Sequence, residues 1–217
     1  MSLALVLANR YGIVMSADRR LTTTIVNNET GEKVSFLLTD CEQKLFLTPS
    51  GHGISYTGAS SFENGIRTST TIQNAVLGAE TNNVTLHDEL TLIKQRLLEV
   101  SNGKNVILSG AEILDGHNKV LSTSLISDKI VEHTDENGCC LALSGESVIA
   151  MKLTDMLPVD RNSFPLQESI NYLRFLTRSV AGIQHYAQVN QTVSEECDLL
   201  VIQPSGARWI TSPDDLY

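Results

Sequence analysis

The chain has 217 residues, 41% of them apolar and 19% charged, with 16 Lys and Arg against 25 Asp and Glu for a formal net charge of −9. A chain of this length and composition is globular and can bury a full core without disulfides or a structural metal, which excludes coils, fibres and small stapled scaffolds. The acidic balance, with no basic run longer than Arg19-Arg20, argues against nucleic acid or a membrane surface as partner; no apolar stretch approaches the ~18 residues of a membrane span, and the start lacks the pattern of a secretory signal, so a cytoplasmic location is expected.

Leu3 to Asn9 and Gly12 to Ala17 are nearly continuous apolar runs across the turn Asn9-Arg10-Tyr11-Gly12, which predicts a buried β-hairpin. Leu21 to Val26 and Val34 to Leu38 read as strands joined by the polar, Gly-containing loop Asn27 to Lys33. Lys44 to Thr48 and Gly53 to Thr57 form a further hairpin pattern across Pro49-Ser50-Gly51. From Ser60 to about Gly78 the spacing of Phe62, Ile66, Ile72 and Val76 predicts a helix, although its several Thr residues are indifferent helix formers. Thr81 to Asn83 reads as a surface loop. Thr85-Leu86-His87-Asp88 is a capping-box-like start, and Leu86, Leu90, Ile93, Leu97 and Val100 carry a second helix to its stop at Asn102-Gly103.

Strands return at Asn105 to Leu114, Lys119 to Ile126 and Cys139 to Leu143, with turn signals at Asp115-Gly116 and Asn137-Gly138. Ser144-Gly145 breaks into a helical segment over Ser147 to Met156. A long helix follows Ser163-Phe164-Pro165 with Leu166, Ile170, Leu173, Leu176, Val180 and Ile183 on one stripe. Its aromatics Tyr172, Phe175 and Tyr186 read first as core and second as an assembly face. The strands Leu199 to Gln203 and Ala207 to Ile210 close the order, ahead of a polar tail over Ser212 to Tyr217.

Strand blocks alternating with helix pairs do not fit a doubly wound parallel sheet, which needs a helix after nearly every strand. Hairpin-connected strands of near-continuous apolar content must be covered on both faces, one by another sheet and one by helices. The expected class is α+β, a four-layer αββα sandwich of two antiparallel sheets between helix pairs. No repeat, low-complexity run or linker divides residues 1–217, so a single domain is expected.

The four cysteines, Cys41, Cys139, Cys140 and Cys197, have no zinc-like spacing and read as buried reduced thiols. The five histidines, at 52, 87, 117, 133 and 185, form no HxH or HxxxH pair. Neither a metal nor another cofactor is expected. GxSxG, GxxxxGK[ST], GxGxxG and HExxH motifs are all absent. The unusual feature is Ser2. A small second residue permits removal of Met1, which places a serine hydroxyl beside its own α-amine at the head of a buried strand. With a reference pKa of about 7.7 to 8.0, that amine can act as a general base near neutral pH.

The stretch Ser2 to Thr22 resembles the N-terminus of proteasome β-subunits and the related bacterial ATP-dependent peptidase, members of the N-terminal nucleophile (Ntn) hydrolases. In that family a Thr nucleophile opens a strand and an "(A/T)D(S/R)R" box with a following Thr ends the next one. Aligned without gaps, Ser2 falls on the nucleophile, and Asp18, Arg20 and Thr22 fall on the family's Asp, Arg and Thr. "QKLF" is similar to the family's "KKLF" and implies a catalytic lysine at Lys44. "ISYTGASSF" resembles the strand end that supplies the oxyanion-hole amide, here Gly58, and "LALSGES" resembles the "GSG" turn, here Ser144 with Gly145.

The resemblance implies the αββα fold and acyl transfer. Lys44 paired with Asp18 would lower the pKa of the Ser2 hydroxyl and amine, and the Gly58 N–H would bind the oxyanion. It also implies a first substrate pocket lined by Leu21, Thr22, Glu42, Tyr56 and Ser60, in which Glu42 would favour a basic side chain. The nucleophile is Ser where the family has Thr. Val189 to Glu196 stands where the family has "D-x-x-S-G-G": the Asp has no counterpart, Ser194 lies near the Ser, and Glu195 and Glu196 replace the glycines. These residues are compatible with three functions: a peptidase of peptide substrates, an inactive scaffold subunit, or a hydrolase of a small amide. The resemblance implies a homo-oligomeric ring for the first two and leaves room for an ATP-dependent unfoldase partner.

Overall fold

The computed structural model describes residues 2–26, 30–31, 33–63, 65–78, 84–187 and 191–210. Met1, most of the predicted loop Asn27 to Lys33, the loop Thr81 to Asn83, the first two residues of the Val189 to Glu196 segment and the tail Ser212 to Tyr217 lie outside the described residues.

The first hairpin forms as the apolar runs predict, with β1 (Leu3–Asn9) and β2 (Gly12–Asp18) buried along their whole length. Side chains alternate across the pleat, and each face of β1 has its own cover. Leu3, Leu5 and Leu7 pack with Val14 against Ile170, Leu173, Leu176 and Val180 of the long helix α4 (Leu166–Tyr186). Ala4, Val6 and Ala8 turn the other way and meet Leu45, Ala111 and Val120. Those three residues belong to β5 (Leu45–Leu47), β7 (Val106–Leu114) and β8 (His117–Ser124). A strand covered on both sides has no solvent face on which to place polar residues, which is why the run is continuous. Each such leucine contributes roughly 1.5–3 kcal/mol by burial.

Two five-stranded sheets, antiparallel at every pairing, result. One runs β10–β1–β2–β11–β12 and the other β5–β6–β7–β8–β9, where β6 is Gly53–Gly58, β9 Val131–Glu132, β10 Cys140–Gly145, β11 Cys197–Gln203 and β12 Gly206–Trp209. Among the described residues the strands β3 (Leu21–Val26) and β4 (Lys33–Thr39) pair only with each other. Over the second sheet lie α1 (Thr68–Leu77) and α2 (Leu86–Leu98); Leu86, Leu90, Ile93 and Leu97 pack on Ile54, Val106 and Leu108. Thr85 caps α2 by accepting the Asp88 N–H at 3.2 Å. The helices α3 (Ser147–Met156) and α4 cover the first sheet.

Three local expectations give way, and one strand, β9, goes unforeseen. The helix predicted from Ser60 begins only at Thr68, because the chain first reverses at Gly65 (φ +76°), where Phe62 N–H bonds the Ile66 carbonyl at 2.9 Å and Thr68 Oγ1 bonds that of Ala59 at 2.7 Å. Phe62 still reaches the core, from a turn. β9 carries no sequence signal, since both its residues are exposed. Cys41 is exposed instead of buried, and the aromatic set divides: Tyr172 is core, whereas Phe175 and Tyr186 face outward.

Candidate active site

Ser2 lies at the head of β1 and is 4% exposed. Backbone bonds fix it on two sides. Its carbonyl oxygen accepts the Glu146 N–H at 2.7 Å, and the next amide, Leu3 N–H, donates to Asp18 Oδ1 at 2.8 Å. The first bond depends on Gly145, which has φ +83° and whose Cβ, were there one, would overlap the Ser2 carbonyl oxygen. The β1–β10 register sets Ser144 opposite Ala4 and Gly145 opposite Leu3, so Ser144 sits beside the start of β1 on the face that meets the other sheet.

Asp18 ends β2 with no exposed surface, and Lys44, just before β5, is 1% exposed. The Lys44 ammonium donates to both oxygens of Asp18 at 3.0 Å and to the Arg20 carbonyl at 2.5 Å, so its donor capacity is filled. Asp18 Oδ2 also accepts the N–H groups of Arg20 at 2.9 Å and Ser194 at 3.4 Å. A buried ion pair survives only with such saturation. Burial pulls the Lys44 ammonium below the ordinary lysine value, and Asp18 opposes the shift. Arg20 is held in turn by Asp40, through Nε at 2.7 Å and Nη2 at 2.9 Å.

Gly58 closes β6 at φ +103°, a conformation in which a Cβ would come within 2.6 Å of the Asn105 carbonyl oxygen. Ser2 and Gly58 line one cleft of about 230 Å³ together with Leu21, Thr22 and Ser60. Thr23 and Lys104, not singled out by sequence reasoning, line it as well. The structure therefore brings together Ser2, Asp18, Lys44, Gly58, Ser144, Leu21, Thr22 and Ser60. A wider groove of about 870 Å³, past Arg19, Arg174 and Arg178, does not include Ser2.

Glu42 and Tyr56 stand apart from the cleft lining. Both are buried, and Glu42 accepts from Tyr56 Oη at 3.1 Å, Ser69 Oγ at 2.6 Å and Arg67 Nη1 at 3.3 Å. A carboxylate so engaged is a closed cluster beneath α1 and offers nothing to a ligand in the cleft.

Two further contributions escape the sequence reading. The Glu146 N–H is invisible because any residue supplies a backbone amide. Gln184, which holds the backbone of residues 192 and 193, leaves a signal: a polar residue on the apolar stripe of α4, 2% exposed. Among the described residues no group of three His, Cys, Asp or Glu is arranged to hold a metal ion. His52, just before β6 and at the opposite end of that strand from Gly58, instead lies between two carboxylates, Nδ1 at 2.8 Å from Glu89 and Nε2 at 3.1 Å from Glu112.

No family model matches the chain, and no curated protein matches it. Among solved structures it is similar to the Anbu (Gly-1) mutant from Hyphomicrobium sp. strain MC1, with 15% identity and a TM-score of 0.63 over 100% of this chain and 90% of that one. At this identity the likeness shows the fold alone, and that fold is proteasome-like.

Proposed function

We propose that this chain is a proteasome-like hydrolase, a single αββα domain in which Ser2, exposed by removal of Met1, attacks the carbonyl carbon of a peptide or related amide. The observation that carries the proposal is the wholly buried Lys44–Asp18 pair, whose carboxylate also grips the amide that follows Ser2. A buried cation at this point favours the Ser2 alkoxide over the neutral hydroxyl.

The free α-amine of Ser2 takes the hydroxyl proton as Oγ forms its bond to the carbonyl carbon. The oxyanion is met by the Gly58 N–H, and Ser144 orients the amine. Collapse breaks the C–N bond, with the amine's proton leaving on the departing nitrogen. Water, activated by the same amine, then cleaves the acyl-Ser2 ester and restores the hydroxyl. Leu21, Thr22 and Ser60 line the substrate side of the cleft. The test is the intact mass of untagged protein before and after a peptide epoxyketone, which reacts with both the hydroxyl and the amine of an N-terminal nucleophile. Loss of Met1 and one adduct, absent in Ser2→Ala and reduced in Lys44→Ala, is the expected result.

One observation favours a second reading, an inactive scaffold subunit. Residues 191–194 offer Asp18 a backbone N–H and bring no carboxylate to Ser2 in place of the family's Asp. Retained Met1, or an exposed Ser2 that forms no adduct, would select it. Under either reading we place the chain in a homo-oligomeric ring, in keeping with the apolar Val148, Met151 and Met156 that α3 exposes. An ATP-dependent unfoldase would serve only the peptidase.

A further inference from the structure

Gln184 occupies a core position on α4 with almost no exposed surface. A buried side-chain amide is retained where its donors and acceptor have partners, and here residues 192 and 193 supply them. Gln184 Oε1 accepts the N–H groups of Thr192 at 3.0 Å and Val193 at 3.1 Å, while Nε2 donates to Thr192 Oγ1 at 3.0 Å. Two threads run from this clamp to Ser2. In one, Thr192 Oγ1 donates to Glu146 Oε1 at 3.4 Å, and the Glu146 N–H holds the Ser2 carbonyl. In the other, Ser194 N–H reaches Asp18 Oδ2 and Ser194 Oγ accepts the Arg19 N–H at 2.9 Å, while Asp18 holds both Leu3 N–H and Lys44.

The segment that departs most from the proteasome pattern, with Glu195 and Glu196 where glycines are usual, thus touches both supports of Ser2. We infer that Gln184 is a positioning residue for Ser2: by clamping residues 192 and 193 it keeps the β10–α3 junction and the end of β2 in register around the head of β1. This rests on the hydrolase reading above. Gln184 itself contacts neither substrate nor the reacting atoms.

The experiment compares wild type with Gln184→Leu, Gln184→Glu and Thr192→Val. Leu removes every polar partner at similar size; Glu keeps the acceptor for both N–H groups; Val removes the Thr192 hydroxyl, and with it the bond from Gln184 Nε2 and the thread to Glu146, while leaving both backbone N–H bonds to Gln184 Oε1 and the Ser194–Asp18 thread in place. Two quantities are measured: the rate of epoxyketone modification at Ser2 against inhibitor concentration and pH, and the titration of the Lys44 ammonium by NMR. For Gln184→Leu the limiting rate is expected to fall roughly tenfold to a hundredfold, the scale of a catalytic group displaced by an ångström, with the half-saturating concentration unchanged. Its Lys44 titration moves up toward ordinary lysine behaviour as water gains access, and the pH midpoint of modification, which reports the Ser2 α-amine, rises as the Lys44 charge is displaced. Glu recovers most of the rate, and Val loses part of it.

A folded Gln184→Leu protein that matches wild type in rate, pH profile and Lys44 titration overturns the assignment. Should that variant fail to fold, unaltered behaviour of Thr192→Val together with loss of rate in Gln184→Glu overturns it equally. Wild type without an adduct sinks the hydrolase reading alone. The Lys44 titration then decides separately whether Gln184 holds the Asp18–Lys44 pair: a shift in the variants sustains the clamp, and no shift ends it.

Discussion

Lys44 is buried only because Asp18 and the Arg20 carbonyl receive its protons, and Asp18 is buried only because Lys44 and three backbone N–H groups surround it. Removing one partner strands the other charge away from water. Lys44→Met is therefore expected to cost about 3–5 kcal/mol, and adding Asp18→Asn should recover part of that loss, as urea unfolding of the two single variants and the double variant would read out. His52 is a further buried ionisable group. Burial works to lower its pKa, but hydrogen bonds to Glu112 and Glu89 and their charges outweigh it and raise the value from 6.5 to about 9. A raised native pKa contributes stability that is complete below the unfolded value near 6.5 and lost as pH rises through 9. The contribution is on the order of 3 kcal/mol at about 1.4 kcal/mol per pKa unit. Wild type should thus lose more stability than His52→Gln between pH 6 and pH 10; parallel losses would mean that His52 is neutral in the native state.

At the scale of elements, the site lies at junctions. β1 begins, β2 and β6 end, and β10 passes into α3 around one point, so small backbone changes at these ends act on Ser2 directly. Gly145→Ala puts a Cβ onto the Ser2 carbonyl at a positive φ. A non-glycine residue in such a conformation costs of order 1–3 kcal/mol from backbone strain alone. The expected result is a destabilised protein whose Ser2 is no longer modified, measured by thermal unfolding and adduct mass. The cap of α2 offers a contrast remote from the cleft: Thr85→Ala removes the acceptor of the Asp88 N–H and should cost about 1 kcal/mol while leaving the Ser2 reaction rate unchanged.

For the molecule as a whole, the proteasome-like fold places one sheet's strand ends beside those of the other, so that Ser2 from the first and Gly58 from the second share a cleft. The outer faces are incompletely covered. Of α3 only Ala150 is buried, and Val148 and Met156 are 64% and 76% exposed. Phe36, Leu37 and Leu38 are exposed in succession on β4, an edge strand of the two-stranded sheet. Exposed apolar groups of this density mark contact surfaces. Sedimentation of the intact chain is expected to give a mass well above one protomer, and Val148→Lys with Met156→Lys to lower it without loss of the fold. A monomeric wild type would remove the ring from the proposal.

The sequence by itself determined what is encoded within a few residues. The doubly covered β1–β2 hairpin is a continuous apolar run, α2 carries its Thr85 cap and four-three spacing, and α4 carries a stripe in which Gln184 is the legible exception. The resemblance at Ser2 and Asp18 was legible because both lie in one ungapped stretch at the start of the chain, and that at Lys44 because the short QKLF motif marks it beyond the loop Asn27 to Lys33. Only the tertiary structure decided where Glu42 and Tyr56 point, since their burial beneath α1 depends on Ser69 and Arg67, beyond the reversal at Gly65. It alone brought Ser194 to Asp18 across 176 residues and Glu146 to Ser2, through a β2–β11 pairing and a β1–β10 register that no local pattern specifies. Periodicity records which face of an element is covered, whereas the meeting of distant strand ends follows from register, and register is fixed only when all the faces are packed together.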